Sequence, residues 1–170
     1  EETNLPGNKR LTHWKQGVPI ASWLYVLGVA RFAVQYVDEF EGKSIQTWVY
    51  HQDRDKGFYD FDNTTKQALA FYSTAVGPFS YEKLANIQSN SVSGGMEAAS
   101  AILYSENSVV GDRNVRWRNV VIHEIAHQWF GNSVTEKDWD EIWLSEGFAT
   151  YFTLLFIEHQ YGRDEFLEGI

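Results

Sequence analysis

The chain contains no cysteine, only 3 prolines and a single methionine among its 170 residues. Without cysteine there is no disulfide framework, and cysteine-based zinc sites and thiol nucleophiles are excluded. Basic residues are scarce: 14 Lys and Arg against 23 Asp and Glu leave a formal charge of −9. That balance argues against nucleic acid as a partner, because neutralising phosphates needs clustered Lys and Arg. Long apolar runs are missing too. The longest, Val18 to Ala30, is broken by Pro19, Ser22 and Gly28. It falls short of the ~20 residues that cross a bilayer, so no membrane span is expected. No methionine precedes Glu1-Glu2-Thr3 and no signal-peptide pattern is present. The sequence is therefore expected to be a piece of something longer, with its compartment open between cytoplasm and periplasm or exterior. Aromatic side chains, by contrast, are plentiful, with 7 Trp, 9 Tyr and 11 Phe in a chain that is 44% hydrophobic. That is enough to bury a sizeable core.

The first fifty residues alternate and favour β-branched and aromatic types, which predicts strands over 22–27, 32–37 and 45–50. The charged stretch 51–61, which holds Gly57, reads as a loop. A helix is expected over about 64–76, capped by Asp62 or Asn63 and ended by Gly77-Pro78. Short strands over 84–89 and 101–104 flank a break at Gly94-Gly95. Further helices are expected over about 114–130 and 145–161, with a fourth opening at Asp164. Strands first and helices afterwards indicate an α+β fold.

Inside the second helix stands His123-Glu124-Ile125-Ala126-His127, an HExxH pattern. Residues i and i+4 differ by about 40° around a helix, so both imidazoles leave one face. Two neutral imidazoles suit Zn²⁺, and Glu124 falls within reach of a metal-bound water. The flanks Val120-Val121-Ile122 and Trp129-Phe130 make this helix apolar nearly all round. Buried histidines and a buried Glu need a compensating partner, and a cation supplies one. With 5 His and 14 Glu in the chain, the pattern arises by chance in roughly one shuffled sequence in a hundred. A Glu separated from His127 by 18 intervening residues, Glu146, lowers that to on the order of one in a thousand. A His₂Glu set leaves the fourth tetrahedral position open, the layout of a catalytic zinc site rather than a structural one. His13, His51 and His159 have no ligand spacing.

HEIAHQWFGNSVT from His123, followed by WDEIWLSEGFATYF from Trp139, resembles the aminopeptidase N family of zinc peptidases with its leukotriene hydrolase branch. A GxMEN-like string, Gly94-Gly95-Met96-Glu97-Ala98, stands in the expected order, with Glu97 26 positions before His123. The resemblance implies an all-β amino-terminal domain ending within residues 1–42. It implies the first part of a thermolysin-like zinc peptidase catalytic domain over 43–170. It implies one Zn²⁺ held by His123, His127 and Glu146, with Glu124 as general base. Glu97 would hold the free amino terminus of a peptide substrate, and Gly94, Gly95 and Met96 would form the edge strand that binds the substrate backbone. These roles make physical sense unaided: a carboxylate beside an acidified water accepts its proton and returns it to the leaving amine. A fixed anion attracts an α-ammonium, and a Gly pair admits close backbone approach at a sheet edge.

The sequence departs from the family pattern in three places. Ala98 replaces the Asn of GxMEN, which removes an amide from beside Glu97. Ser145 replaces the usual Asn before the third ligand, where it is expected to cap the third helix. Thr150 and Thr153 occupy the stretch where a carboxylate often supports a ligand histidine, so Asp140 and Glu141 are the candidates for that support. The family's oxyanion-stabilising Tyr is expected beyond residue 170, because Tyr151 and Tyr161 lie on the helix of Glu146 itself. The expected function is that of a zinc aminopeptidase. Two rivals stand beside it: a zinc hydrolase of the same fold without strict aminopeptidase specificity, and a non-catalytic peptide-binding domain with a vestigial zinc site.

Overall fold

The structure, a computed structural model, describes residues 1–169. Strands β1 (Glu2–Leu5) and β2 (Lys9–Thr12) pair as a solvent-exposed antiparallel hairpin. The expected strand at 22–27 does not form. Ser22–Leu24 is a single 3₁₀ turn, which buries Leu24 and offers the Leu24 carbonyl to the Ala99 N–H at 3.2 Å. Among the described residues this stretch pairs with no strand: Leu24 packs into the core while Tyr25 and Leu27 stay exposed.

Five strands make the main sheet: β3 (Phe32–Phe40), β4 (Lys43–Tyr50), β5 (Lys83–Ser89), β6 (Gly95–Met96) and β7 (Ala101–Ser105). The order is β3-β4-β5-β7-β6. β4, β5 and β7 run parallel, and the edge strands β3 and β6 run antiparallel to their neighbours. Glu41 and Gly42, both with positive φ, turn the β3–β4 hairpin, so strand pairing runs across residue 42.

Helix α1 (Arg54–Ala75) covers one face of the sheet. It begins ten residues before the expected helix and takes in most of the stretch read as a loop, so neither Asp62 nor Asn63 caps it. The cause is steric. Gly57 lies against Val49 of β4 so closely that a Cβ there would meet the Val49 methyl at 2.5 Å. The glycine that reads as a loop signal is the contact that lets helix and strand touch. Ile45, Val49, Leu84, Ile102 and Tyr104 of the sheet pack with Phe61, Leu69 and Tyr72 of α1. Two polar residues on this buried face donate hydrogen bonds: Asn86 Nδ2 to Thr65 Oγ1 at 2.7 Å, and Gln88 Nε2 to Asp53 Oδ2 at 3.0 Å.

Helix α2 (Val115–Ala126) packs on α1, and α3 (Trp143–Tyr161) packs on α2. A short α4 (Arg163–Glu168) follows. The start of α2 is tied down from α1: Asp60 accepts from the N–H groups of Val110 (2.9 Å), Gly111 (2.7 Å) and Arg113 (2.9 Å). Asn114 then caps the helix by accepting from Arg116 N–H at 3.1 Å. The observed architecture is α+β, a mixed sheet with helices on one face. No helix among the described residues is long and apolar enough to cross a membrane.

Candidate metal centre

α2 stops four residues earlier than its pattern suggests, and His127 stands at its C-cap. The chain then turns through Gly131, whose φ of 103° lies in the left-handed region. That glycine is doubly required, because a Cβ would run into Ser145 Oγ. The turn closes with Asn132 N–H on the His127 carbonyl (3.1 Å) and Gly131 N–H on the Val134 carbonyl (2.8 Å). It carries the chain to α3, which presents Glu146 in its first turn.

Three donor atoms converge between the two helices. His123 Nε2 and His127 Nε2 are 3.0 Å apart, and Glu146 Oε2 lies 3.3 Å from the first and 3.6 Å from the second. A tetrahedral ion with donors at about 2.1 Å sets them about 3.4 Å apart. The set therefore fits a zinc ion by spacing and by chemistry, since two imidazole nitrogens facing each other at this distance need a cation or a proton between them. The two rings are nearly perpendicular, at 89°. Glu146 is held well below the ordinary carboxylate range by hydrogen bonds from His123 and then His127. Burial pulls the His127 imidazole down, but its bond to Glu146 and the charges of Glu97, Glu124 and Glu146 outweigh this, and its pKa is raised.

His127 directs its other nitrogen, Nδ1, at the Phe130 carbonyl (3.0 Å) and the Ser145 hydroxyl (3.1 Å). A carbonyl only accepts, so Nδ1 carries a proton, and in the neutral ring the lone pair falls on Nε2, toward Glu146 and His123. This support does not come from Asp140 or Glu141. Both are exposed, and the Glu141 carboxylate instead bonds the Trp143 indole. Nor does Ser145 cap α3. It lies inside the helix, fully buried, with its hydroxyl on His127. The Ser before the third ligand is the one local sign of this bond, and its partner 18 residues away is not visible from it.

Glu124 is 6% exposed, and its Oε2 has no hydrogen-bond partner. Burial, reinforced by the charges of Glu97 and Glu146 and opposed by that of His127, pushes its pKa up to about 8. Glu97 joins Glu124 and His127 in a second cluster, with one candidate ligand atom from each within 4.8 Å of the others. The edge strand β6 runs against Glu124. A Cβ on Gly95 would fall on the Glu124 carboxylate, so only glycine fits there. Gly95 and Met96 form the outermost strand of the sheet, and the Gly94 carbonyl accepts from Ser105 N–H at 2.8 Å. His123, His127, Glu146, Glu97, Glu124 and Gly95 thus lie together, with Gly94 and Met96 on either side of Gly95 in the chain. Gln128 and Asn132, by contrast, escaped notice, although two amides at the end of an apolar helix were the available signal.

Residues 59–170 match the family described as "Peptidase family M1 domain". The glutamyl aminopeptidase of Mus musculus is 29% identical over 160 residues, covering 89% of this chain and 17% of that protein. The leukotriene A-4 hydrolase of Xenopus laevis is 29% identical over 159 residues, covering 92% of this chain and 25% of its own length. Among solved structures, an M1 zinc metallopeptidase from Deinococcus radiodurans superposes with a TM-score of 0.80 at 28% identity. It is matched over 96% of this chain and 36% of its own. This chain thus spans a quarter or less of those two curated relatives. The family match takes in more than half of the chain and the whole metal centre, and the chain belongs to peptidase family M1.

Proposed function

We propose that this chain carries the metal site and the amine-recognition end of a zinc aminopeptidase. The observation that carries the reading is the convergence of His123, His127 and Glu146, with Glu124 buried beside them and Glu97 in the adjoining cluster. Zinc in this site would supply Lewis acidity, making water acidic near neutral pH and polarising a peptide carbonyl.

The remaining work falls to the chain's own groups. Glu124 has an unpartnered Oε2 in a nearly dry setting, suited to accept a proton from the attacking water and hand it to the leaving amine. The edge strand Gly94–Met96 offers backbone groups to an extended peptide, and Gly95 keeps its path clear against Glu124. Glu97 supplies a fixed negative charge for the α-ammonium of the first substrate residue. An anion one residue from the scissile bond restricts cleavage to chain ends. Names of the relatives agree with this reading: two of those described above are called glutamyl aminopeptidase and M1 zinc metallopeptidase.

The test is metal analysis together with hydrolysis of aminoacyl reporter substrates by the intact protein. One zinc per chain and cleavage confined to free-amine reporters are expected. Glu124→Gln should keep the metal and lose turnover by on the order of 10²-fold or more. Turnover retained in that variant would sink the mechanism. Equal cleavage of acetylated and free-amine reporters would favour a zinc hydrolase without exopeptidase restriction.

A further inference from the structure

We infer that the buried amides of Gln128 and Asn132 are positioning residues that set the separation between the metal site and the Glu97 carboxylate, and thereby where a substrate's first residue sits. The inference rests on the role proposed above for Glu97 and goes beyond it by naming what holds that residue.

Gln128 follows His127 directly, and Asn132 lies in the turn after it; they are 1% and 3% exposed. Gln128 Nε2 donates to the Glu97 carbonyl at 3.1 Å and to the Glu124 carbonyl at 3.2 Å. Gln128 Oε1 accepts from Ser100 N–H at 2.9 Å. Asn132 Nδ2 donates to the same Glu97 carbonyl at 2.7 Å. One oxygen thus receives two donors from the metal-bearing segment, which fills both of its lone pairs. The single Gln128 side chain spans residues 97 to 100, so both ends of that turn are tied to the helix of His123 and Glu124.

Two further observations indicate that the turn needs holding. Ser100 has a φ of 60°, a left-handed conformation that a non-glycine residue adopts only when its surroundings impose it. Its N–H goes to Gln128, and its carbonyl accepts from Lys83 Nζ at 2.7 Å on the other side. The Ala98 side chain, fully buried, offers no hydrogen bond, and the Ala98 carbonyl accepts only from within the turn, from Ala101 N–H at 3.1 Å. The amide that the family pattern carries at residue 98 is absent, and the Glu97 carbonyl is held by two amides from the segment that follows α2. An error of about 1 Å between an anchoring group and the reacting centre costs on the order of 10²-fold in rate, so such a clamp bears directly on specificity.

The experiment uses the intact zinc-loaded protein and two inhibitors: an amino-acid hydroxamate with a free α-amine, and its counterpart lacking only the amine. Three variants are compared with wild type. Gln128→Met removes the whole amide. Gln128→Glu keeps the acceptor for Ser100 N–H but loses both donors. Asn132→Ala removes a single hydrogen bond and decides the case if the Gln128 variants do not fold. Each folded variant is expected to lose about tenfold or more of the preference for the amine-bearing inhibitor, while affinity for the other stays within about twofold and zinc remains at one per chain. With a free-amine reporter, the loss should fall on KM more than on kcat. Amide exchange at Ser100 should speed up in Gln128→Met and stay slow in Gln128→Glu. Equal loss for both inhibitors, or an unchanged preference in folded, zinc-loaded variants, overturns the inference alone. A wild-type protein with no amine preference overturns the proposed role of Glu97, and the inference with it.

Discussion

The Ser145 hydroxyl lies 3.1 Å from His127 Nδ1, joining the helix of the third candidate ligand to the ring of the second. The Phe130 carbonyl shares the same N–H at 3.0 Å. These two contacts select the tautomer that leaves Nε2 free for metal. Removing the hydroxyl by Ser145→Ala leaves the carbonyl in place, so the effect belongs at the low end of the usual range for such partners. Zinc affinity should fall by about tenfold, read by chelator competition on the intact protein. Unchanged affinity would show that Phe130 alone orients the ring.

Gly95 lies where any side chain would collide with Glu124. Gly95→Ala should leave the three metal donors in place, because the atoms nearest to an added Cβ all belong to Glu124. It should also push the Glu124 carboxylate off its position or move the edge strand away from it. We expect one zinc per chain and kcat lowered by on the order of 10²-fold, since a displaced general base forfeits much of its contribution. Full activity in this variant would mean that β6 does not run along the bound substrate.

The metal centre was legible in the sequence because its signals are local. Helical spacing brings His123 and His127 together, and the interval to Glu146 is short enough to be closed by one turn. The edge strand was legible only through the family resemblance, because Gly94 and Gly95 by themselves read as a break in the chain. The start of α1 was not, since the packing of Gly57 on Val49 depends on where β4 lies in space. The hold on Glu97 escaped for the same reason: Gln128 and Asn132 reach a carbonyl 31 and 35 residues away. Nothing in the local pattern of either amide says which oxygen it will find. Ser145 was read by its place in a helix-start pattern, but a partner on another helix took its hydroxyl.

Asp60 is a structural counterpart to this clamp. It is 8% exposed, and it takes three N–H donors from the segment that leads into α2. Truncation to Ala strands those donors in a partly buried loop. Each stranded donor costs roughly 1 kcal/mol or more, so Asp60→Ala should destabilise the fold by about 3 kcal/mol in urea unfolding. Because the loop feeds the metal helix, zinc affinity should weaken in the same variant. Loss of stability below about 1 kcal/mol would show that water replaces the carboxylate at no great cost.

Lys83 gives the fold a pH signature away from the metal. Burial lowers its pKa to about 8, slightly opposed by Glu82, while its ammonium donates to the Ser100 carbonyl. In the unfolded chain the same amine titrates near 10.4. Between pH 8 and about 10 the unfolded state therefore binds the proton that the folded state has released. Stability attributable to Lys83 must rise with pH across that window, at up to about 1.4 kcal/mol per pH unit, and be flat below it. Tyr72 and Tyr104 act in the opposite sense above pH 10, because burial raises their folded pKa values. The comparison of wild type with Lys83→Met by chemical denaturation between pH 7 and 10 isolates the lysine. The wild-type curve should climb relative to that of the variant from pH 8 upward; parallel curves would mean that the ammonium is not desolvated where it meets Ser100.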